Sequence, residues 1–446
     1  MKSIGFFGGA GDVTGSSYLL TSEKGSKLLV DFGMFQGGKD MMALNYQDVH
    51  FKASDIQGIV LTHAHLDHCG RLPLLVYGGY FGKIYMTAPT QALVEVILTD
   101  SAKIAKENVE YGPLYGSEEV EKTLEMIEIV DYDTEFSIGD LNITFRDAGH
   151  ILGSASVEVE DKTSKKRAVF SGDIGNFPED IVRKTRFIDE ADFVVMESTY
   201  GDSMHPKEDP TQIIKEEINT IERSGGVLLI PAFSLERTQE LLHRIHHLKK
   251  EGQIRLDTPI FMDSPMAIRA TLIFKEFKEF YNEELRSHTD DPFSFDGLVI
   301  TEEARNSREI IRAMAPKVII AGSGMLSGGR ILHHAANYLP IETTRVLFVG
   351  YQSEETLGRK ILEGARTAVI NDQQIKVRAH IREIKSLSSH ADQPKLLEWL
   401  GHIKYVKKVF LIHGETKQRN TLAEKIKSEL KLTNITMPQH EQEVLL

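Results

Sequence analysis

Apolar residues in the first part of the chain come in short runs separated by glycine-rich turns. Lys27-Leu28-Leu29-Val30, Ile59-Val60-Leu61, Leu141-Asn142-Ile143-Thr144-Phe145, Arg167-Ala168-Val169-Phe170 and Asp192-Phe193-Val194-Val195-Met196 are the clearest. Runs of this length bounded by turn residues predict strands. Residues 89–109 follow another period. Leu93, Val96, Ile97 and Ile104 fall on one helical face behind Pro89-Thr90, which predicts an amphipathic helix.

Beyond residue 206 the pattern changes to helices alternating with continuously apolar strands. Helices are predicted over Ile213–Arg223 and Ser234–Lys250. Strands are predicted at Gly226–Ile230, Pro259–Met262, Lys317–Ala321 and Arg345–Val349. Strands without a polar face, spaced by helices, imply a parallel sheet buried on both sides. From residue 373 the first style returns, with strands at Val377–Ile384 and Lys408–Ile412 and a helix after Gln393-Pro394. The expected organisation is a core of residues 1–206 and 373–446, interrupted by an inserted α/β domain at 207–372.

Composition narrows the partners. A chain of 446 residues with 41% apolar and 26% charged positions fits two or three ordinary globular domains. The formal charge of −13 argues against broad coating of nucleic acid, because phosphate neutralisation needs a basic surface. It does not argue against a phosphodiester held at bound cations, whose ligands themselves add to the acidic count. No apolar stretch is long enough to span a bilayer, and that of Met1–Gly9 is too short and glycine-rich for a signal peptide. The single cysteine, Cys69, rules out an intramolecular disulfide and fits a cytoplasmic location, with packing as its expected role.

The chemistry concentrates in His63-Ala-His65-Leu-Asp67-His68, directly after the apolar run at 59–61. At a strand end, residues i and i+2 project to one side, so His63 and His65 can grip one cation while Asp67 and His68 reach a second. Imidazole and carboxylate suit zinc without any thiolate. Asp31, His150, Asp173 and His413 each stand in a loop just after a strand, beside glycine. Alone, each is an ordinary loop residue; together they converge on one rim of a sheet.

These residues resemble the motifs of the metallo-β-lactamase fold superfamily and, within it, the β-CASP nucleases. The resemblance covers nearly the whole chain. It matches Asp31; His63, His65, Asp67 and His68; His150; Asp173; and the three β-CASP motifs at Glu197, His390 and His413. It implies an αββα metallo-β-lactamase sandwich carrying an inserted parallel-sheet β-CASP domain. It is closest to the RNA-cleaving branch, which includes the pre-mRNA 3′-end endonuclease subunit and its bacterial and archaeal relatives. There the last motif is histidine, as His413 is here, whereas the DNA-repair branch has valine.

The resemblance implies two Zn2+ per chain, with Mn2+ as a substitute. His63, His65 and His150 would hold one ion, and Asp67, His68 and His413 the other, with Asp173 bridging and Asp31 fixing the 63–68 loop. Such a pair would activate hydroxide for attack on the phosphodiester of single-stranded RNA. His390 would act as general acid, oriented and raised in pKa by Glu197. The cleft would lie between core and insert. Cleavage would be internal, with end-directed cleavage as a further mode, and a homodimer is common among relatives. A DNA nuclease and a small-molecule metallo-hydrolase are the alternatives.

Gly9-Ala-Gly11-Asp-Val-Thr-Gly15 and Gly322-Ser-Gly324-Met-Leu-Ser-Gly328 match neither the dinucleotide fingerprint nor a P-loop. The second follows a strand and precedes a helix, so Ser323, Gly324 and Met325 read either as RNA-backbone contacts or as a tight turn. Phe233, Ser264, Arg237 and Arg330 are placed to line the strand path, although both arginines could equally be ion-paired internally. Trp399 reads as a packing residue and His243–His247 as a solvated helix face.

Overall fold

The computed structural model describes residues 1–106, 112–177, 180–353 and 356–446, in two compact units. The first comprises Met1–Met204, Phe280–Asn282 and Ser389–Leu446. The second comprises His205–Glu279 and Glu283–Ser388.

The first unit holds two seven-stranded sheets. One runs in the order Gln442–Leu445, Ser3–Gly8, Ser17–Thr21, Lys27–Val30, Gly58–Val60, Lys83–Met86, Ile127–Ile129. The other runs Ile435–Thr436, Lys408–Leu411, Phe193–Met196, Arg167–Phe170, Ala155–Asp161, Leu141–Asp147, Glu135–Ile138. Each is antiparallel in one half and parallel in the other. The parallel halves pair Val30 with Val60 and Val60 with Tyr85 in the first sheet, and Phe170 with Val195 and Val195 with Phe410 in the second. Parallel strands all end at the same edge, so loops leaving them share one rim.

Alternation along Leu141–Asp147 shows why the sheets face each other. Leu141, Ile143 and Phe145 point into a core shared with Ile4, Phe6, Leu20 and Val30 of the first sheet, while their neighbours are partly exposed. Full burial of such side chains is worth about 1.5–3 kcal/mol each. Phe193–Met196 is buried throughout because both its faces are covered. Phe193 and Val195 join the inter-sheet core; Val194 and Met196 pack in a second cluster with Leu396, Trp399 and Leu422. Trp399 sits on helix Gln393–His402, opened by the cap of Asp392, whose side chain accepts from Lys395 N. On the other side lies helix Ala88–Ala105, whose Thr87 cap accepts from Thr90 N and which buries Leu93, Val96 and Ile97. Ile104, expected on that face, is 61% exposed, because the covered face ends a turn earlier. The expected end of this helix, 107–109, lies outside the described residues. The unit is thus an αββα sandwich.

The second unit is built on an all-parallel six-stranded sheet, ordered Leu298–Ile300, Ile260–Met262, Lys317–Ala321, Val227–Pro231, Arg345–Phe348, His380–Glu383. Its central strands are buried on both faces, as their unbroken apolar sequence requires. Helix Pro210–Ser224 starts at the cap of Asp209 and stops at Gly225, which takes the left-handed conformation at φ 64°. His380–Glu383 pairs with Arg345–Phe348 here, so residues 373–388 belong to this unit rather than to the returning core expected from 373. The continuous parallel edge outweighs the change in sequence style at that point.

Candidate metal centre

Five strand ends of the parallel halves deliver the site. Asp31 follows Lys27–Val30, Thr62 and His63 follow Gly58–Val60, Asp173 follows Arg167–Phe170, Glu197 follows Phe193–Met196 and His413 follows Lys408–Leu411. Asp31 and His413 have positive φ, 60° and 44°, a conformation non-glycine residues rarely adopt and that clusters at functional sites.

Buried Asp31 organises the 62–68 segment. Its Oδ1 accepts the Thr62 amide at 2.7 Å and its Oδ2 the Thr62 hydroxyl at 2.8 Å, while His68 Nδ1 lies 2.7 Å from Oδ2. Thr62 Oγ1 is also 3.0 Å from His63 Nδ1. Both rings therefore keep Nε2 for the centre. Two glycines permit the approach of the loops. A Cβ on Gly33 would meet the Asp67 carbonyl oxygen at 1.5 Å, and one on Gly175 would meet that of Gly149 at 1.9 Å.

The nitrogens then face one another. His63 Nε2 is 3.1 Å from His65 Nδ1, which is 3.2 Å from His150 Nε2. Asp173 Oδ2 lies 3.3 Å from His63 Nε2 and 3.6 Å from His150 Nε2. Its other oxygen, Oδ1, is 3.4 Å from His68 Nε2. Asp67 Oδ2 and His413 Nε2 are 3.3 Å apart beside it. His63, His65, His150 and Asp173 make one group able to hold a metal ion, and Asp67, His68 and His413 a second.

The residues fit such ions. Burial, reinforced by the neighbouring imidazoles, lowers His63 to about 3 and His65 to about 4 and pushes His150 well down. The Nε2 atoms of His63 and His150 turn lone pairs toward His65 Nδ1, whose single possible proton can satisfy only one of them, and a cation satisfies all three. Asp173 Oδ1 is buried and accepts no hydrogen bond among the described residues, an arrangement that is costly without a ligand. Burial would raise Asp173, but His413, His68 and His63 outweigh it and hold the carboxyl well below its usual range.

His390 stands at the edge of the centre. Its Nδ1 is 3.2 Å from both Glu197 oxygens, and its Nε2 is 3.9 Å from Asp173 Oδ2. Glu197 is fully buried and also accepts from the Ile174 amide at 2.7 Å and the Thr199 amide at 3.3 Å. Burial alone would depress His390, but the carboxylates of Glu197 and Asp173 prevail and hold it up at about 9. Asp173, Glu197 and His390 also fall within ligating distance of one another.

Sequence reasoning did not find three positioning groups. Thr62 holds Asp31, His63 and His68 together; Thr199 Oγ1 lies 3.0 Å from His413 Nδ1; and the Ser389 carbonyl lies 3.0 Å from His150 Nδ1. A ligating histidine needs a partner on its other nitrogen, a signal that could have found the two threonines, each one or two residues from a motif position. A backbone carbonyl leaves no such trace.

The expected RNA contacts lie in the second unit. Ser323–Gly329 forms a turn closed on itself: Ser323 N donates to the Gly328 carbonyl and Ser327 N to Ser323 Oγ. Gly324 is buried against Phe233, and the Met325 carbonyl accepts Gly358 N. The arginines follow the internal reading. Arg237 is buried and paired with Glu240, and Arg330 donates to buried Asp263 at 2.8 Å and to the Thr301 carbonyl at 2.7 Å. Buried carboxylates take both guanidinium groups because neither carboxylate has access to water.

The chain matches three family models. The Metallo-beta-lactamase superfamily profile matches residues 10–200, the Beta-Casp domain 238–361, and the Zn-dependent metallo-hydrolase RNA specificity domain 374–438. Ribonuclease TTHA0252 of Thermus thermophilus is 37% identical, over 92% of each chain. The chain belongs to the β-CASP nucleases of the metallo-β-lactamase superfamily. Another relative of this β-CASP chain, RNase aCSPSF2 of Saccharolobus solfataricus, is 32% identical over 98% of the chain and 84% of the relative. Transcription termination factor FttA of Methanocaldococcus jannaschii is 29% identical over 92% of the chain but 67% of its own length. A solved protein of unknown function from Enterococcus faecalis V583 shares the fold, with a TM-score of 0.56 at 9% identity over the whole of both chains. Among the described residues, no helix is long and apolar enough to cross a membrane.

Proposed function

We propose that the chain is a two-zinc ribonuclease that hydrolyses phosphodiester bonds within single-stranded RNA. The observation that carries this reading is the Asp173 carboxylate, one oxygen turned to each ligand group, with a raised histidine beside it. His63, His65, His150 and Asp173 would hold one ion, and Asp67, His68 and His413, with Asp173, the other. When bound, the ions would supply Lewis-acid polarisation of a phosphoryl oxygen and acidify water.

The protein's own residues supply the rest. His63, His65 and His150 are neutral and keep their lone pairs across the physiological range. Asp31 and Thr62 hold the rings of His63 and His68 in place. His390 is committed to Glu197 through Nδ1, so the proton it can transfer is on Nε2, toward the centre. That proton would go to the departing alkoxide oxygen of the scissile bond, and Glu197 stabilises the imidazolium until then. A thioester expels a thiolate, which leaves without a proton, whereas a phosphodiester expels an alkoxide, which needs one; a positioned proton donor therefore favours the phosphodiester over a thioester.

The test uses a 5′-labelled single-stranded RNA, the same RNA circularised, and a DNA of equal sequence, each with and without chelator. Chelator-sensitive cleavage of linear and circular RNA, with DNA spared, is the expected result. Cleavage of the linear form alone would replace internal with end-directed action, and preference for DNA would overturn the RNA reading.

A further inference from the structure

Helix Arg237–Lys250 of the second unit carries three histidines that play no part in the chemistry above. His243 and His247 are one turn apart, and such residues meet on one helix face. Here they meet end on: their Nε2 atoms are 3.0 Å apart and their rings 4.6 Å apart, at 82°. The expected solvated face is therefore half-buried and ordered at this point. His246 lies beside them, its ring face stacked between that of His247 at 5.9 Å and Phe295 at 6.0 Å, an arrangement that engages its ring plane in packing. A third imidazole approaches from another segment. His288, exposed just after helix Glu283–Ser287, has its ring 6.0 Å from that of His247.

We infer that His243, His247 and His288 form a second, separate metal site that takes a borderline divalent ion of the zinc type. Zn–N distances of about 2.0–2.1 Å place two ligating nitrogens about 3.0 Å apart at a right angle and about 3.4 Å apart in a tetrahedron. The observed 3.0 Å needs only a few tenths of an ångström of adjustment. An all-nitrogen set selects zinc, nickel or copper and excludes magnesium and calcium, which require oxygen ligands. Rotation of the exposed His288 side chain, a fast motion at a surface, completes three ligands and leaves the fourth position to water. Burial and the adjacent His247 and Arg244 lower His243 to about 3, so protons do not compete for it near neutrality. An occupied site would staple the segment around 288 to the helix.

The full chain is dialysed against buffered Zn2+ and its metal content measured by atomic emission, beside His243→Asn/His247→Asn and His288→Asn. The same substitutions are repeated on a His63→Asn/His65→Asn background, which separates this site from the candidate catalytic centre. On both backgrounds the double variant is expected to hold one Zn2+ fewer, and His288→Asn to need at least about tenfold more free zinc for it. Equal zinc in wild type and double variant would mean that the two rings share only an N–H···N hydrogen bond, and would overturn the site. Unchanged affinity in His288→Asn would overturn its role as a ligand. Should the double variant misfold by circular dichroism, His247→Asn alone gives the same reading.

Discussion

At the scale of single residues, the proposed mechanism divides the centre into groups that would hold charge and one group that would carry a proton. His390 and Asp173 are near neighbours, yet their loss should be felt differently. His390→Ala removes a proton donor and leaves both ligand groups intact, so bound metal should be unchanged while kcat falls about 10²–10⁴-fold, the usual range for a general acid. Asp173→Ala removes the carboxylate both groups share, so bound metal and cleavage should fall together. Metal content beside single-turnover rates separates the two, and full activity in either variant would refute its assigned role. The pH profile adds a sign. In the proposed role His390 would deliver its proton only below its raised pKa, so activity should fall as pH climbs through about 9 in the wild type. The limb should vanish from the residual activity of His390→Ala.

At the scale of elements, the chemistry depends on loops that approach more closely than side chains allow. Gly33 passes so near Asp67 that an added methyl would overlap its carbonyl carbon at 2.0 Å. Relief can come only by displacing the turn that carries Asp67 and His68, at a cost of about 1–3 kcal/mol or more. Gly33→Ala should fold, by circular dichroism, yet bind zinc at least about tenfold more weakly. Native zinc affinity would show that the turn can shift without harm. Such crowding also explains which elements were legible in the sequence. Strand ends followed by His, Asp or Glu could be read because apolar runs and ligating side chains are both written locally. The Ser389 carbonyl behind His150 could not, since a backbone group has no letter. Arg237 and Arg330 were ambiguous for a related reason. Their buried partners, Glu240 and Asp263, look in sequence like any surface carboxylate. The strand His380–Glu383 was found, but its allegiance was set by pairing with Arg345–Phe348, a choice of edge that a short run of residues does not encode.

At the scale of the whole molecule, the acidic balance constrains how RNA is held. Lys and Arg number 52 against 65 Asp and Glu, and the two arginines expected to line the strand are engaged internally. A ribonuclease of this charge cannot rely on a wide cationic surface. In the proposed mechanism its hold on the substrate would come largely from the cations at the scissile phosphate and a few nearby groups. Each phosphate neutralised on a single strand contributes about −0.7 to the slope of log affinity against log salt. A protein that grips six to ten phosphates would therefore show a slope between about −4 and −7. With no more than three phosphates engaged, the slope here should be no steeper than about −2. Competition binding of a single-stranded RNA to the zinc-loaded His390→Ala protein, across a range of potassium chloride concentrations, measures it without turnover. A steep slope would reveal a basic track that the global charge conceals. A shallow one would mean that the metal centre, rather than the protein surface, anchors the RNA, and zinc removal should then abolish binding as well as cleavage.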